Sequence, residues 1–471
     1  MTGDELLALC KDTLAASGEP DVEICARFAA RGCARFAMGA LGQHMQLAEP
    51  QAVIRAAHGR RVAESLTSRL ERDELVRLVR STAAAAKLVP EVECFPGFAG
   101  APAGGGRSSA SPPRYEVATA SAGPEERASR LAPVLLAVER AGLVSAGMLE
   151  TTRTSTAVAT TRGCALSHDA SVASFRVWAL ETAGAGGAAG YGGHLHRDVG
   201  ALRIGEETER AIRICQMSRD PVSLDEGAYD VVLEPEAVTE LLEWLSAVAF
   251  GAPEVEQGSS PVAGRLQTRI TGESVGIVED PLDASDLGFG TPFDREGTPR
   301  QRVTLIERGV ARAVLYDRTH AARASTAAAP LSSTGSALPP AFSSAAGVGA
   351  TSLALESGSA SGVDELIRGV DRGLYICRLH YVNGLLEPRR AVMTGLTRDG
   401  CFLIEKGRIT RAVGNLRFTD GFLEALERSD AMTRERKAVS TWWSDAGAFV
   451  APAVRIRALR FNGRSQERPS L

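Results

Sequence analysis

One helical segment stands nearly alone in the second half of this 471-residue chain. Residues 235–250 open with Pro235 and carry Val238, Leu241, Leu242, Leu245 and Val248 on one face, with Gly251 just past the end. Around that helix, residues 229–233, 274–279, 301–306, 311–316, 373–381, 390–397 and 400–405 read as strands divided by turn residues. They predict a strand-rich, mainly antiparallel domain over 225–462, framed by one helix, with a polar frayed tail at 463–471.

The first part of the chain mixes both periods. Residues 4–16 place Leu6, Leu7, Cys10 and Leu14 at helical spacing, and 66–88 do the same with Leu70, Leu75, Leu78 and Val79. Residues 124–141 and 206–217 add two more helices, the second ended by Arg219-Asp220-Pro221. Residues 22–36 have a strand-like character blurred by Ala and Arg. Residues 148–166 and 171–180 read as antiparallel neighbours with a turn near His168-Asp169. Segment 98–113 reads as a loop, 184–193 as a glycine-rich interruption and 321–350 as a long surface loop. The expected fold class is therefore an α/β N-terminal domain over 1–220, followed by the strand-rich C-terminal domain.

A chain of this length holds about two to three domains with ample core. Its 44% hydrophobic and 23% charged content is ordinary for a globular protein, and its net charge of −4 offers no pull toward nucleic acid. The acidic first turn lacks the basic region of a signal peptide, and no apolar run spans a membrane, so a cytoplasmic location is expected. The eight cysteines form no CxxC pair, which favours reduced, packed thiols over a disulfide framework or zinc ribbon.

Two long passages carry a family resemblance: GFGTPFDREGTPRQRVTLIERGVARAVLYD, from Gly288, and GLYICRLHYVNGLLEPRRAVMTGLTRDGCFLIEKG, from Gly373. With Ser218-Arg219-Asp220-Pro221, the 227–238 run and Val278-Glu279-Asp280-Pro281, they resemble the TldD/PmbA family of peptide-processing proteins. The first sixty residues match poorly. The resemblance implies a link to proteolysis. In the TldD branch a helix carries His-Glu-x-x-x-His, whose imidazoles bind a metal while the glutamate takes a proton from bound water; a cysteine near the C-terminus completes the shell. The similar helix here, 235–250, reads Glu243-Trp244-Leu245-Ser246-Ala247-Val248 at that point, and no histidine occurs between His196 and His320. Where the cysteine would fall, the chain reads Trp442-Trp443-Ser444-Asp445-Ala446-Gly447. The resemblance is therefore to the PmbA (TldE) branch, which lacks the motif and pairs with TldD.

That branch implies a non-catalytic subunit of a heterodimeric metalloprotease acting on unfolded peptides, with no catalytic residue, metal or cofactor in this chain and zinc in the TldD-type partner. Candidate peptide-binding residues are Phe293, Asp294, Glu296, Arg378, His380, Tyr381 and Asn383, with an extended peptide gripped along a strand edge within 373–405. For the 293–297 run a structural turn is the competing reading. Neither nucleic acid nor membrane is expected as a partner. The alternatives are an independent hydrolase or peptide-tailoring enzyme reusing the scaffold, and a homodimeric peptide-binding protein.

Other constellations carry less. His194-Leu195-His196 would share a strand face, but the adjoining glycines favour a loop with solvated histidines. Cys377 and His380 fall on opposite strand faces, Cys401 reads as a packed thiol, His320 as a loop residue, and Asp280, Asp283 and Asp286 as a solvated turn. The glycine run has no following Gly-Lys-Ser/Thr, and no GxSxG elbow is present.

Overall fold

The computed structural model describes residues 1–101, 114–181, 187–338, 347–440 and 448–464. Its first sheet is antiparallel throughout. It is built from β1 (Val22–Ala37), β2 (Ala40–His58), β3 (Arg61–Thr67), β4 (Val144–Thr160), β5 (Ala165–Leu180) and β6 (Ala189–His196), in the order β3-β2-β1-β4-β5-β6. The helices α1 (Gly3–Ser17), α2 (Arg72–Ala86), α3 (Val117–Ser121), α4 (Pro124–Arg140) and α5 (Ile204–Met217) accompany it. α1 starts in a capping box, in which Thr2 Oγ1 accepts from Glu5 N and the Glu5 carboxylate accepts from Thr2 N, and it stops at Gly18, whose φ is 71°.

β1 explains its own blurred pattern. Val22, Ile24 and Ala26 pack with Leu6 and Cys10 of α1 and with Leu75 and Val79 of α2. Cys25, on the alternate face, meets Phe293 from the second half of the chain. A strand covered on both faces shows no clean apolar/polar alternation.

Several expectations need correction. The turn between β4 and β5 lies at 161–164, where Gly163 takes a φ of 95°, and not at His168-Asp169. Those two residues sit inside β5, opposite Thr156 and Ser155. Asp169 is polar because its carboxylate accepts from Ser155 Oγ at 2.5 Å and from Gly3 N at 2.9 Å, anchoring the start of α1. The 66–88 helix begins only at Arg72, since Leu66 is consumed by β3, paired with Val53. The end of the 184–193 run is strand, not interruption. A Cβ on Gly190 would sit 2.0 Å from Ala211 O and one on Gly192 2.0 Å from Glu207 O, so these glycines let α5 press directly on β6.

The second sheet comprises β7 (Gly227–Leu233), β8 (Ile277–Glu279), β9 (Val303–Glu307), β10 (Val310–Ala311), β11 (Leu353–Leu355), β12 (Arg372–Glu387), β13 (Val392–Glu405), β14 (Arg408–Ala412), β15 (Leu416–Gly421), β16 (Ser429–Val439) and β17 (Phe449–Arg464). Its main path runs β10-β9-β8-β11-β17-β15-β13-β12-β7, and a further β7–β17 pairing closes the last five strands into a circuit. Pairing is antiparallel except for β7–β12 and β11–β17. α6 (Pro235–Val248) packs against β12 and β17. The sequence assigned it one apolar face, but every residue from Pro235 to Glu243 is buried, so it is a core helix.

Strand expectation 311–316 shrinks to β10, because Leu315 turns inward and bridges to Gly251. Segment 321–350 is not all surface: Arg318–Ala324 is helical, and Ser336 and Ala337 are buried, Ala337 N donating to Asp294 at 3.0 Å. β17 continues into the expected tail, pairing Arg464 with Leu416. Residues 465–471 lie outside the described residues, as do 102–113 of the first loop, 182–186, 339–346 and the Trp442–Gly447 stretch. Among the described residues, no helix is long and apolar enough to cross a membrane.

Candidate functional site

Where the first sheet meets α6 and β12, a small cleft, with about 10 Å³ open to a water-sized group, is lined by Arg176, Trp178, Tyr191, Glu236, Glu240, Arg378, Val439 and Ser440. The two-residue strand period places Arg176 and Trp178 on one face of β5. Pairing with β6 sets Tyr191 opposite Trp178, ring centroids 5.0 Å apart. Arg378, on β12, lies 4.6 Å over the Tyr191 ring and 5.5 Å over Trp178, and donates to Asp399 at 2.8 Å. Trp178 Nε1 donates to the same carboxylate at 3.0 Å. Arg176 donates to Ser440 O and Oγ at 3.3 and 3.0 Å.

α6 brings carboxylates. Glu236 and Glu240, one helical turn apart, both reach the cleft. Lys437 of β16 donates to Glu236 at 2.9 Å and to Glu207 of α5 at 2.7 Å, and Arg210 lies 3.5 Å from Glu236 and 3.4 Å from Glu234. Burial alone would raise Glu236, but Arg210 and Lys437 outweigh it and hold the carboxyl down at about 2. Glu240 goes the other way: burial raises it, with Arg378 and Arg176 opposing. Glu240 is 9% exposed and takes part in no hydrogen bond among the described residues.

A second buried cluster joins the halves of the chain. Arg55 of β2 donates to Glu23 at 3.1 Å and to Glu296 at 2.7 Å. Asp294 accepts from Glu296 N, Thr298 N and Ala337 N at 3.0, 2.9 and 3.0 Å. Burial pushes Glu23 up to about 7 against the pull of Arg55, and burial together with Glu296 pushes Asp294 to about 7.

Of the residues singled out from sequence, only Arg378 lines the cleft. Phe293, Asp294 and Glu296 are buried in the Arg55 cluster and its surroundings, so their geometry is that of the structural turn. His380 is half-buried, its ring 4.2 Å from that of Tyr381, while Tyr381 is 70% exposed and Asn383 also faces outward. Leu385 and Leu386 continue that exposed apolar end of β12, whose pairing with β7 stops at Ile376. On α6, Glu243 is buried, Trp244 half-buried and Val248 sits in the core, so the cleft receives residues nearer the helix start. Sequence reading missed Arg176, Trp178, Tyr191, Glu236 and Glu240. The available signal was three glutamates at helical spacing on an otherwise apolar helix.

The donor set that the described residues place around the cleft does not fit a catalytic metal. Among the described residues, no three His, Cys, Asp or Glu side chains converge on one point. Glu236 is held by cations, and α6 presents no imidazole. His194 and His196 do share a face of β6, and correct the loop expectation, with stacked rings 6.3 Å apart. Their Nδ1 atoms accept from Arg203 N and Asp198 N respectively, and burial, with Lys437, Arg203 and His196, lowers His194 to about 4. Burial pushes the Cys10, Cys25, Cys164, Cys215 and Cys401 thiols up to about 12, leaving them poor nucleophiles at neutral pH. His320 lies in the short 318–324 helix, bonded to its N-cap Asp317 at 2.8 Å rather than in a loop. Asp280 and Asp286 pair with Arg302 and Arg197, each at 3.2 Å.

The fold and cleft define a two-sheet protein whose central helix presents carboxylates to a cleft against the first sheet. A family profile described as PmbA/TldA metallopeptidase C-terminal domain matches residues 226–463, half of the chain, and the chain belongs to the PmbA/TldD family. Among curated relatives, a metalloprotease from Methanothermobacter thermautotrophicus is 27% identical over 274 residues, covering 55% of each chain. A metalloprotease TldD homolog from Buchnera aphidicola (Acyrthosiphon pisum) is 23% identical over 247 residues, 52% of this chain and 49% of its own. The chain spans about half the length of the curated relatives it matches. Among solved structures, TldE from Thermococcus kodakarensis superposes with a TM-score of 0.85 at 17% identity, covering 97% of this chain and 100% of the other. A Thermotoga maritima chain gives 0.80 at 19% identity, covering 98% and 99%. At these identities the likeness establishes the fold.

Proposed function

We infer that this chain is a non-catalytic PmbA/TldE-type subunit that pairs with a metal-bearing TldD-type chain and helps hold unfolded peptides for it. The observation that carries the reading is α6. Its cleft-facing positions are Glu236 and Glu240, the first already bonded to Lys437, and neither offers nitrogen to a metal. Hydrolysis would then come from the partner, which would also hold the zinc. The β12 edge beyond Ile376, with Tyr381, Asn383, Leu385 and Leu386 exposed, is the surface assigned to an extended peptide. His380 beside it and Arg378 in the cleft extend that surface inward. Phe293, Asp294 and Glu296 serve instead as the turn that seats the first sheet. Co-expression with a His-Glu-x-x-x-His chain tests the pairing. A stable one-to-one complex is expected, with zinc and peptidase activity lost together when the partner's histidines are removed. Stoichiometric zinc and chelator-sensitive peptidase activity in the isolated chain would overturn it.

A further inference from the structure

The charged groups of the cleft are unevenly paired. Asp399 accepts from Arg378 at 2.8 Å and lies 3.9 Å from Arg398. Lys437 and Arg210 face three carboxylates, those of Glu207, Glu234 and Glu236. Arg176, which donates to Ser440, stands against Glu240 without forming an ion pair with it among the described residues. Among the described residues, Glu240 is thus the cleft carboxylate without a bonded cation.

Two acceptors are left over at the same place. Glu240 is 9% exposed and forms no hydrogen bond among the described residues. Glu236 is 3% exposed, and its Oε2 has no partner, Lys437 and Arg210 both lying on Oε1. A buried carboxylate oxygen without a donor is costly, and a ligand that brings N–H groups removes that cost. The rings of Trp178 and Tyr191 line the same cleft, with the Arg378 guanidinium already over both. An ammonium supplies three donors and a positive charge, which matches the vacant carboxylate acceptors.

We propose that this cleft is a receptor for a primary ammonium group carried by a peptide, held between Glu240 and the free oxygen of Glu236 beside Trp178 and Tyr191. Two sources carry that chemistry, a free N-terminus and a lysine side chain. The inference rests on the peptide-holding reading but concerns a different contact from the partner interface. Failure of ammonium binding with the one-to-one complex intact would therefore remove this inference alone.

The test is titration calorimetry of the full chain with three probes: tetra-alanine amide, its N-acetylated form, and an N-acetylated tetrapeptide amide containing one lysine. The free-amine peptide is expected to bind at least tenfold more tightly than the acetylated one. Binding of the acetylated lysine peptide assigns the site to ammonium groups in general, and its failure to bind assigns it to N-termini. Glu240→Gln should cut the free-amine affinity at least tenfold while the chain keeps its melting temperature. If that variant does not fold, the comparison of free and acetylated peptides on the native chain decides alone. Equal binding of the free and acetylated peptides, no binding of either, or unchanged affinity in a folded Glu240→Gln chain would each overturn the proposal.

Discussion

Arg55 shows how much one side chain can be asked to hold. It is 9% exposed and touches Glu23 on its own sheet and Glu296 from the far half of the chain. Arg55→Met leaves both carboxylates buried without a counter-charge, a loss of about 3–5 kcal/mol, which urea unfolding would register as a lower midpoint at unchanged slope. The pH dependence follows from Glu23 and Asp294, both raised to about 7. Between the ordinary carboxylate range and about 7, the folded chain keeps protons that the unfolded chain has released. The stability these groups contribute is therefore fullest at the acid end of that window and is lost as the pH rises through it. The native chain should unfold at lower urea at pH 8 than at pH 5. Glu23→Gln should shrink that difference by roughly 1–3 kcal/mol; an unchanged difference would mean that Glu23 is ionised throughout.

At the scale of elements, the contact of α5 with β6 decides whether the cleft exists. Gly190 and Gly192 let the helix backbone meet the strand, and Glu207 of α5 then reaches both Gly193 N at 3.0 Å and Lys437. Gly192→Ala puts a methyl into Glu207 O and forces the helix outward, at a cost of about 1–3 kcal/mol. Chemical unfolding should show the loss, and Trp178 fluorescence should change as Tyr191 shifts beneath it. Val→Ala changes on the exposed surface offer no such lever, whereas α6 does. Leu242 and Leu245 are fully buried in its packing, so Leu242→Ala should cost about 2–5 kcal/mol, read from the same unfolding curves.

For the whole molecule, buried or half-buried bonds cross between the two halves of the chain at Arg55–Glu296, Trp178–Asp399 and Lys437–Glu207. Leaving any of them unmade exposes a charge or an unpaired donor in a desolvated place. The two halves should therefore unfold in a single calorimetric transition; two resolved transitions would show that these contacts couple weakly. Much of this was legible in the sequence. α1, α4 and α5 announced themselves by apolar spacing, and α6 by Pro235 and Gly251. β1 did not, because a strand packed on both faces has no alternation to read. The β4–β5 turn was misplaced because Asp169 looks like a turn residue and instead serves α1 across the sheet.

The sequence by itself determined the family, the order of an α/β part before a strand-rich part, and a central helix without imidazoles, since each depends on residue identity or local period. Only the tertiary structure decided that Trp178, Tyr191, Glu240 and Arg378 share one cleft and that Asp294 and Glu296 are sealed beneath Arg55. Those neighbours are brought together by long-range strand pairing and by the docking of one sheet on another, and no local periodicity encodes that geometry.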